Sequence, residues 1–144
     1  MKISIGCDHA GPQLKAEIAK MLGEQGHDVI NFGTDTTDSV DYPDHAHAVM
    51  QSLTTGETEL SILICGTGNG ICMTANKYSG VRAALCWRPE IAILARQHND
   101  ANVLCLPARF LEIEDALNIV EVFLETEFEG GRHQNRINKI NPNI

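Results

Sequence analysis

Residues 61–77, SILICGTGNGICMTANK, decide the fold. Ile62, Leu63 and Ile64 form a short apolar run of the kind that becomes a strand buried on both faces. The run breaks at Cys65 into Gly66-Thr67-Gly68-Asn69-Gly70, and a helix-compatible segment follows over 71–77. Strand, glycine loop and helix in that order aim backbone N–H groups at an anion placed over the helix N-terminus. A thiol at the strand exit lies beside that anion. The stretch therefore predicts a pocket for a small oxyanion with Cys65 in it.

Upstream, residues 2–7 (KISIGC) read as a first strand, ending in the polar turn Asp8-His9-Ala10-Gly11-Pro12. Pro12 suits a first helical turn, and Leu14, Ile18, Met21 and Leu22 then recur at helical spacing until Gly26. Residues 28–32 are the second strand and 33–40 a turn-rich loop. Pro43 opens a helix with Ala46, Val49, Met50 and Leu53 on its buried stripe, closed by Gly56. Downstream, a fourth strand spans 81–86, and Arg88-Pro89-Glu90 starts a helix with Ile91, Leu94, Ala95 and His98 on one face. The fifth strand covers 103–106, and a long amphipathic helix over 115–128 carries Leu117, Val120, Val122, Phe123 and Leu124. Five strands alternating with helices predict a three-layer, Rossmann-like α/β fold with a five-stranded parallel sheet. With no internal repeat and no linker, residues 1–144 read as a single domain with a C-terminal helical tail. In that tail, 130–144, Arg132 and Arg136 are four residues apart and share a helical face, while Ile137 and Ile140 suit docking onto a partner subunit.

Composition narrows the function. With 144 residues, 43% of them hydrophobic, and a net charge of −8, the chain is a soluble globular type without a phosphate-tracking surface, so nucleic acid is excluded as a partner. No apolar run reaches the length of a membrane span, and Met1-Lys2 leads straight into the first strand, so no membrane association is expected. The five cysteines are odd in number and form no C-x-x-C pair, which suits a reduced, cytoplasmic setting.

In an open parallel sheet, ligands bind outside the carboxyl ends of the strands. Asp8-His9, the 65–70 loop and Trp87-Arg88 occupy those ends. His98 and Asn99 come from a helix end, so the same rule puts them far from their own chain's pocket or in a neighbour's. Gly66-x-Gly68-x-Gly70 is not the dinucleotide fingerprint, because Ile71 stands where the third glycine belongs and the loop follows the third strand. Cys65 differs from Cys7, Cys72, Cys86 and Cys105, all read as packing residues, in having a glycine loop and helix start beside it. That setting favours a thiolate able to serve as base or nucleophile. His45 and His47, two apart, point different ways on a helix and make no metal pair.

These residues, in order along essentially the whole chain, resemble the B-type ribose 5-phosphate isomerases and the related galactose and allose 6-phosphate isomerases. The resemblance rests on GCDHAG at 6–11, DYPD at 41–44, CGTGNG and ANK within 65–77, RAALC at 82–86, RQHNDANVLCLPAR at 96–109, and the arginine-bearing tail. It implies a cytoplasmic aldose–ketose isomerase, free of metal and cofactor, acting on a sugar phosphate as a homodimer or a pair of dimers. It also implies Cys65 as the base, with Thr67 and His98 assisting ring opening, and the amides of Gly66, Gly68, Asn69 and Gly70 facing the developing oxyanion. Asp8 and Asn99 hold sugar hydroxyls in that scheme, and His9, Arg109, Arg132 and Arg136 hold the phosphate. His98, Asn99 and Arg109 come from the second subunit. Asn69 stands where many members carry Ile, and Cys72 where Ser is common; other members use a glutamate as base. The alternatives on this scaffold are a hexose 6-phosphate isomerase and a non-catalytic sugar-phosphate sensor. A redox protein built on Cys65 lacks a resolving cysteine at motif spacing.

Overall fold

The computed structural model describes residues 1–142. Its elements follow in the order β1 (Lys2–Cys7), α1 (Pro12–Glu24), β2 (Asp28–Asn31), α2 (Tyr42–Thr54), β3 (Leu60–Cys65), α3 (Asn69–Ala75), β4 (Ala83–Leu85), α4 (Pro89–Asn99), β5 (Val103–Pro107), the 3-10 turn Ala108–Phe110, α5 (Ile113–Glu125) and α6 (Arg132–Ile137). All strand pairs are parallel and the sheet order is β2-β1-β3-β5-β4, as the alternation of strands and helices predicts.

Two apolar layers close the sheet. On one side Ile3, Ile5, Ile62, Ile64, Leu104 and Leu106 meet Leu14, Ile18 and Leu22 of α1, Ala92 and Ala95 of α4, and Ile119, Val120 and Phe123 of α5. On the other, Leu63, Cys65, Val103 and Cys105 meet Ala46, Val49 and Met50 of α2 and Ile71 and Ala75 of α3. Successive strand side chains point to opposite faces, so Cys65 belongs to the α2–α3 side. That side also buries hydroxyls: Ser4 Oγ lies 2.7 Å from Ser61 Oγ and 3.1 Å from Thr58 Oγ1, which is 3.2 Å from Ser52 Oγ.

Several boundaries differ from expectation. The fourth strand contracts to three residues, because β4 pairs only with β5 and forms the sheet edge. The long helix begins two residues earlier and ends three earlier than the spacing predicts; Thr126 turns its hydroxyl back onto the Val122 carbonyl (2.5 Å) as its backbone becomes extended. Within it Ala116 and Ile119 are buried, while Leu117, Val122 and Leu124 are only partly so. On α4 the buried stripe is Ala92 and Ala95, and Leu94 faces outward. The tail does form a short helix, α6, packed against α4.

Candidate active site

The chain direction reverses between β1 and β3: from β1 it moves to the β2 edge, and from β3 it moves the other way. Crevices form at such a switch point, outside the carboxyl ends of the strands. Here the two strand ends deliver Asp8 and Cys65 side by side. Cys7 pairs with Ile64 in register, and the Asp8 N–H donates to the Ile64 carbonyl (3.1 Å). Asp8 is buried, and its Oδ1 accepts the Ala10 N–H at 2.9 Å, which aims the carboxylate within the turn. His9 follows, half-buried, with Nδ1 accepting from the Val40 N–H at 3.2 Å. The loop over 33–40 thereby folds over this corner.

Cys65 is the last residue of β3 and 5% exposed. The glycine loop turns directly above it. Gly68 has φ +74°, a backbone region open to glycine at little cost, and it is also walled in. A Cβ there would stand 2.4 Å from Leu85 Cδ1 and 3.2 Å from the Leu106–Pro107 backbone. Gly66 is closed off by Arg109: its carbonyl accepts the Arg109 N–H (3.0 Å), and an added Cβ would meet the guanidinium at 3.1 Å. Gly70, in the first turn of α3, lies under the Tyr42 ring, which a Cβ would meet at 2.4 Å. Thr67 and Asn69 are exposed, and the Asn69 N–H donates to Thr67 Oγ1 at 3.3 Å.

Beside this loop is an open cleft of about 410 Å³ lined by Thr67, Asn69, Leu85, Trp87, Pro107 and Phe110. Trp87 and Phe110 are 53% and 72% exposed, so the rim is strongly apolar. A second cleft of about 390 Å³ adjoins it across Asn69 and includes Cys72 and Met73. Polar loop and apolar rim together suit a small polar ligand covered by another surface.

The remaining expected site residues lie elsewhere. α4 runs back from the carboxyl end of β4, so its last turn reaches the amino ends of the strands. Arg82, just before β4, donates from Nε to the Asn99 carbonyl at 2.9 Å, and the Ser61 N–H at the start of β3 donates to the Asn102 carbonyl at 3.1 Å. His98 and Asn99 are therefore separated from Cys65 by the length of β3, roughly 15–20 Å at about 3.3 Å per residue. Arg132 and Arg136 stand exposed on α6, beside the same end of α4. The chain thus carries two half-sets: Asp8, His9, Cys65, Gly66, Thr67, Gly68, Asn69, Gly70 and Arg109 at the carboxyl ends of the strands, and His98, Asn99, Arg132 and Arg136 toward their amino ends. The resemblance assigns Arg109 to the second subunit, yet its side chain lies against Gly66 of its own chain.

The other cysteines separate from Cys65 by environment. Burial pushes Cys7 and Cys86 up to about 12 and raises Cys105 well above the ordinary thiol value, so all three stay protonated packing groups. Cys72 packs against the α2–α3 core as expected; being half-buried it also lines the second cleft, with its Sγ 3.5 Å from the Ala83 carbonyl. All five cysteines are free. His45 Nδ1 lies 3.1 Å from the Phe32 carbonyl and His47 Nδ1 2.6 Å from Tyr78 Oη, so the two diverge as expected. Periodicity gives no role to Tyr42; Gly70 is the available signal, since a glycine in a first helical turn leaves room for a covering ring. Among the described residues, no helix is long and apolar enough to cross a membrane.

Known proteins bear on this geometry. The family model described as ribose/galactose isomerase matches residues 3–140. The ribose-5-phosphate isomerase B of Escherichia coli is 48% identical over 139 residues, covering 96% of this chain and 93% of that protein. Among solved structures, the ribose-5-phosphate isomerase B of Clostridium thermocellum superimposes with a TM-score of 0.96 at 49% identity, covering 97% of this chain and 95% of that one. That of Mycoplasma genitalium, solved with bound ribulose-5-phosphate, gives 0.92 at 46%, covering 96% and 93%. With the whole strand–loop–helix frame shared at this identity, the chain belongs to the ribose/galactose isomerase family.

Proposed function

We propose that this protein interconverts ribose 5-phosphate and ribulose 5-phosphate, with Cys65 as the base. The observation that carries the reading is the thiol at the end of β3, roofed by a glycine loop and flanked by the Asp8 carboxylate. The relative that holds ribulose-5-phosphate shares this frame over nearly its full length. In the open-chain aldose the Cys65 thiolate takes the proton from C2, leaving an enediolate. The same sulfur returns a proton to C1, while the hydroxyl proton passes from O2 to O1. Negative charge that builds on the oxygens meets the loop amides, and one such preorganised donor is worth about 3 kcal/mol of barrier.

The active unit is a homodimer in this reading. A second copy brings His98 and Asn99 to the first copy's cleft, with Arg132 and Arg136 beside them; the apolar rim at Trp87 and Phe110 supplies surface to bury. His98 and Thr67 handle the protons of ring opening, Asp8 and Asn99 hold hydroxyls, and His9 with the arginines holds the phosphate. Arg109 acts from the chain that supplies Cys65, against whose loop it already lies. The free cysteines fit a reducing, cytoplasmic setting.

The test is ketose formation from ribose 5-phosphate in the presence of chelator, comparing wild type with Cys65→Ala. Activity that survives chelation and vanishes in a variant that still melts like wild type and binds sugar phosphate is the expected result. Equal activity in both proteins overturns the choice of base. Faster turnover of a hexose 6-phosphate overturns the choice of substrate.

A further inference from the structure

Away from the Cys65 loop, three side chains from two segments converge toward the amino ends of the strands. His98 on the last turn of α4 and His133 on α6 stack face to face, with ring centroids 4.2 Å apart and planes 13° from parallel. Glu129 Oε2 lies 3.3 Å from His133 Nε2. One ligand-type atom from each of the three lies within 4.8 Å of the other two. We propose that His98, Glu129 and His133 bind a borderline divalent transition-metal ion of the zinc type, and that the bound ion withdraws His98 from the sugar site.

The donor set suits such an ion. Two imidazoles and a carboxylate, with a fourth position left for water, form a familiar three-protein-ligand arrangement for zinc. Metal–ligand bonds of about 2.0–2.1 Å set a tetrahedral edge of about 3.4 Å. The Glu129–His133 pair already stands at that separation. The ligand atoms lie within 4.8 Å of one another, so closing on that edge takes a contraction of at most about 1.5 Å; because an imidazole donates in its own plane, His98 must also turn out of its stack on His133.

The backbone holds the pieces in place. Gly130 and Gly131, at φ +68° and +58°, turn the chain so that Glu129 comes back over the first turn of α6. The Glu129 N–H donates to the Gln97 carbonyl at 3.1 Å, tying this loop to the residue before His98, and the His133 N–H donates to the Gly130 carbonyl at 3.2 Å. His133 is 6% exposed, which fixes its ring, while Glu129 is half-exposed and leaves an entry path. Arg96, on the same turn as His98, is occupied by Asp100 at 3.1 Å and by the Ala101 carbonyl at 2.5 Å, so its charge is partly offset. Within one chain the site lies the length of β3 away from Cys65, and only its effect on turnover rests on the role given above to His98.

Cobalt(II) and zinc titrations of the full-length Cys65→Ala protein test the site without the Cys65 thiol. The expected result is one ion per chain, with a visible cobalt spectrum and no sulfur-to-cobalt absorption. Glu129→Gln, a change at a half-exposed position that leaves the fold intact, weakens binding by at least about tenfold, as does His98→Asn. Absence of stoichiometric binding, a sulfur-to-cobalt band, or unchanged affinity in Glu129→Gln overturns the proposal. In a parallel assay zinc lowers wild-type turnover, and Glu129→Gln keeps its turnover at the same zinc concentration. Binding that satisfies every titration criterion while leaving wild-type turnover unchanged upholds the metal site and overturns the role of His98.

Discussion

Replacing Gly68 by alanine puts a methyl group where the loop above Cys65 has no room. Two costs add. The backbone sits at φ +74°, which costs a residue with a Cβ about 1–2 kcal/mol. The methyl also falls 2.4 Å from Leu85 Cδ1 and 3.2 Å from the backbone where Leu106 meets Pro107. The leucine end can swing away from its edge strand, but β5 is the central neighbour of β3 and cannot, so overpacking adds about 1–3 kcal/mol. Gly56 isolates the first cost: its φ is +79°, and an added Cβ meets nothing within 4 Å. At about 4 °C per kcal/mol, Gly56→Ala should lower the melting temperature by about 4–8 °C and Gly68→Ala by about 8–20 °C. Turnover is the sharper readout. Gly56→Ala should leave it unchanged, whereas displacement of the loop amides by even 1 Å should cost Gly68→Ala about a hundredfold. Calorimetry and initial rates on the two variants decide the matter. Equal melting temperatures and equal rates would refute the steric argument and leave only backbone strain.

Lys15 is 2% exposed and donates from Nζ to Asn31 Oδ1 (2.8 Å) and to the Asp35 carboxylate, so Lys15→Met should cost about 1–3 kcal/mol in urea unfolding at pH 7. The Lys15 hydrogen bond holds Asp35 below its ordinary value of 3.8; the stability it contributes is present above that pH and is lost as pH falls through the lowered value. The gap between wild type and Lys15→Met should therefore narrow in strong acid, as unfolding curves at pH 3 and below will show. At the alkaline end, burial raises Cys7 and Cys86 to about 12 from an ordinary 9.0. Their contribution is full below pH 9 and drains away as pH rises toward 12, because only the unfolded thiols ionise in that window. Stability should fall there by at most about 1.4 kcal/mol per pH unit for each thiol, and a Cys7→Ala, Cys86→Ala double variant should show a flatter slope.

How much of this was legible beforehand depended on whether a feature was local. Ile62 to Ile64 followed by the glycines of 65–70 is a strand–loop–helix whatever surrounds it, and the fold followed from repeating that unit. Boundaries failed where a partner element decides them: residues 81–86 look like a full strand, but with β5 on one side only, pairing stops at Ala83–Leu85. Helical spacing does not single out Lys15, because its buried position depends on Asn31 and Asp35 arriving from another segment. Tyr42 over Gly70 and His98 on His133 join residues about 30 positions apart, which no spacing rule brings together. The separation of His98 from Cys65 was legible, because it follows from helix direction alone.

The buried hydroxyls between β1, β3 and α2 have a consequence for alignment. Ser4 pairs with Ser61 in the sheet and their oxygens are 2.7 Å apart. Sliding β3 by one residue would turn Ser61 toward the apolar side of α1 and α5, stranding a hydroxyl at a cost of about 1–3 kcal/mol. The same slide would carry Cys65 about 3.3 Å along the strand relative to Asp8. The hydroxyls thus act as an index mark at one end of the sheet for the Asp8–Cys65 juxtaposition at the other. Sequence drift among Ser4, Ser52, Thr58 and Ser61 would be felt as lost turnover in a protein whose every substrate contact is still encoded.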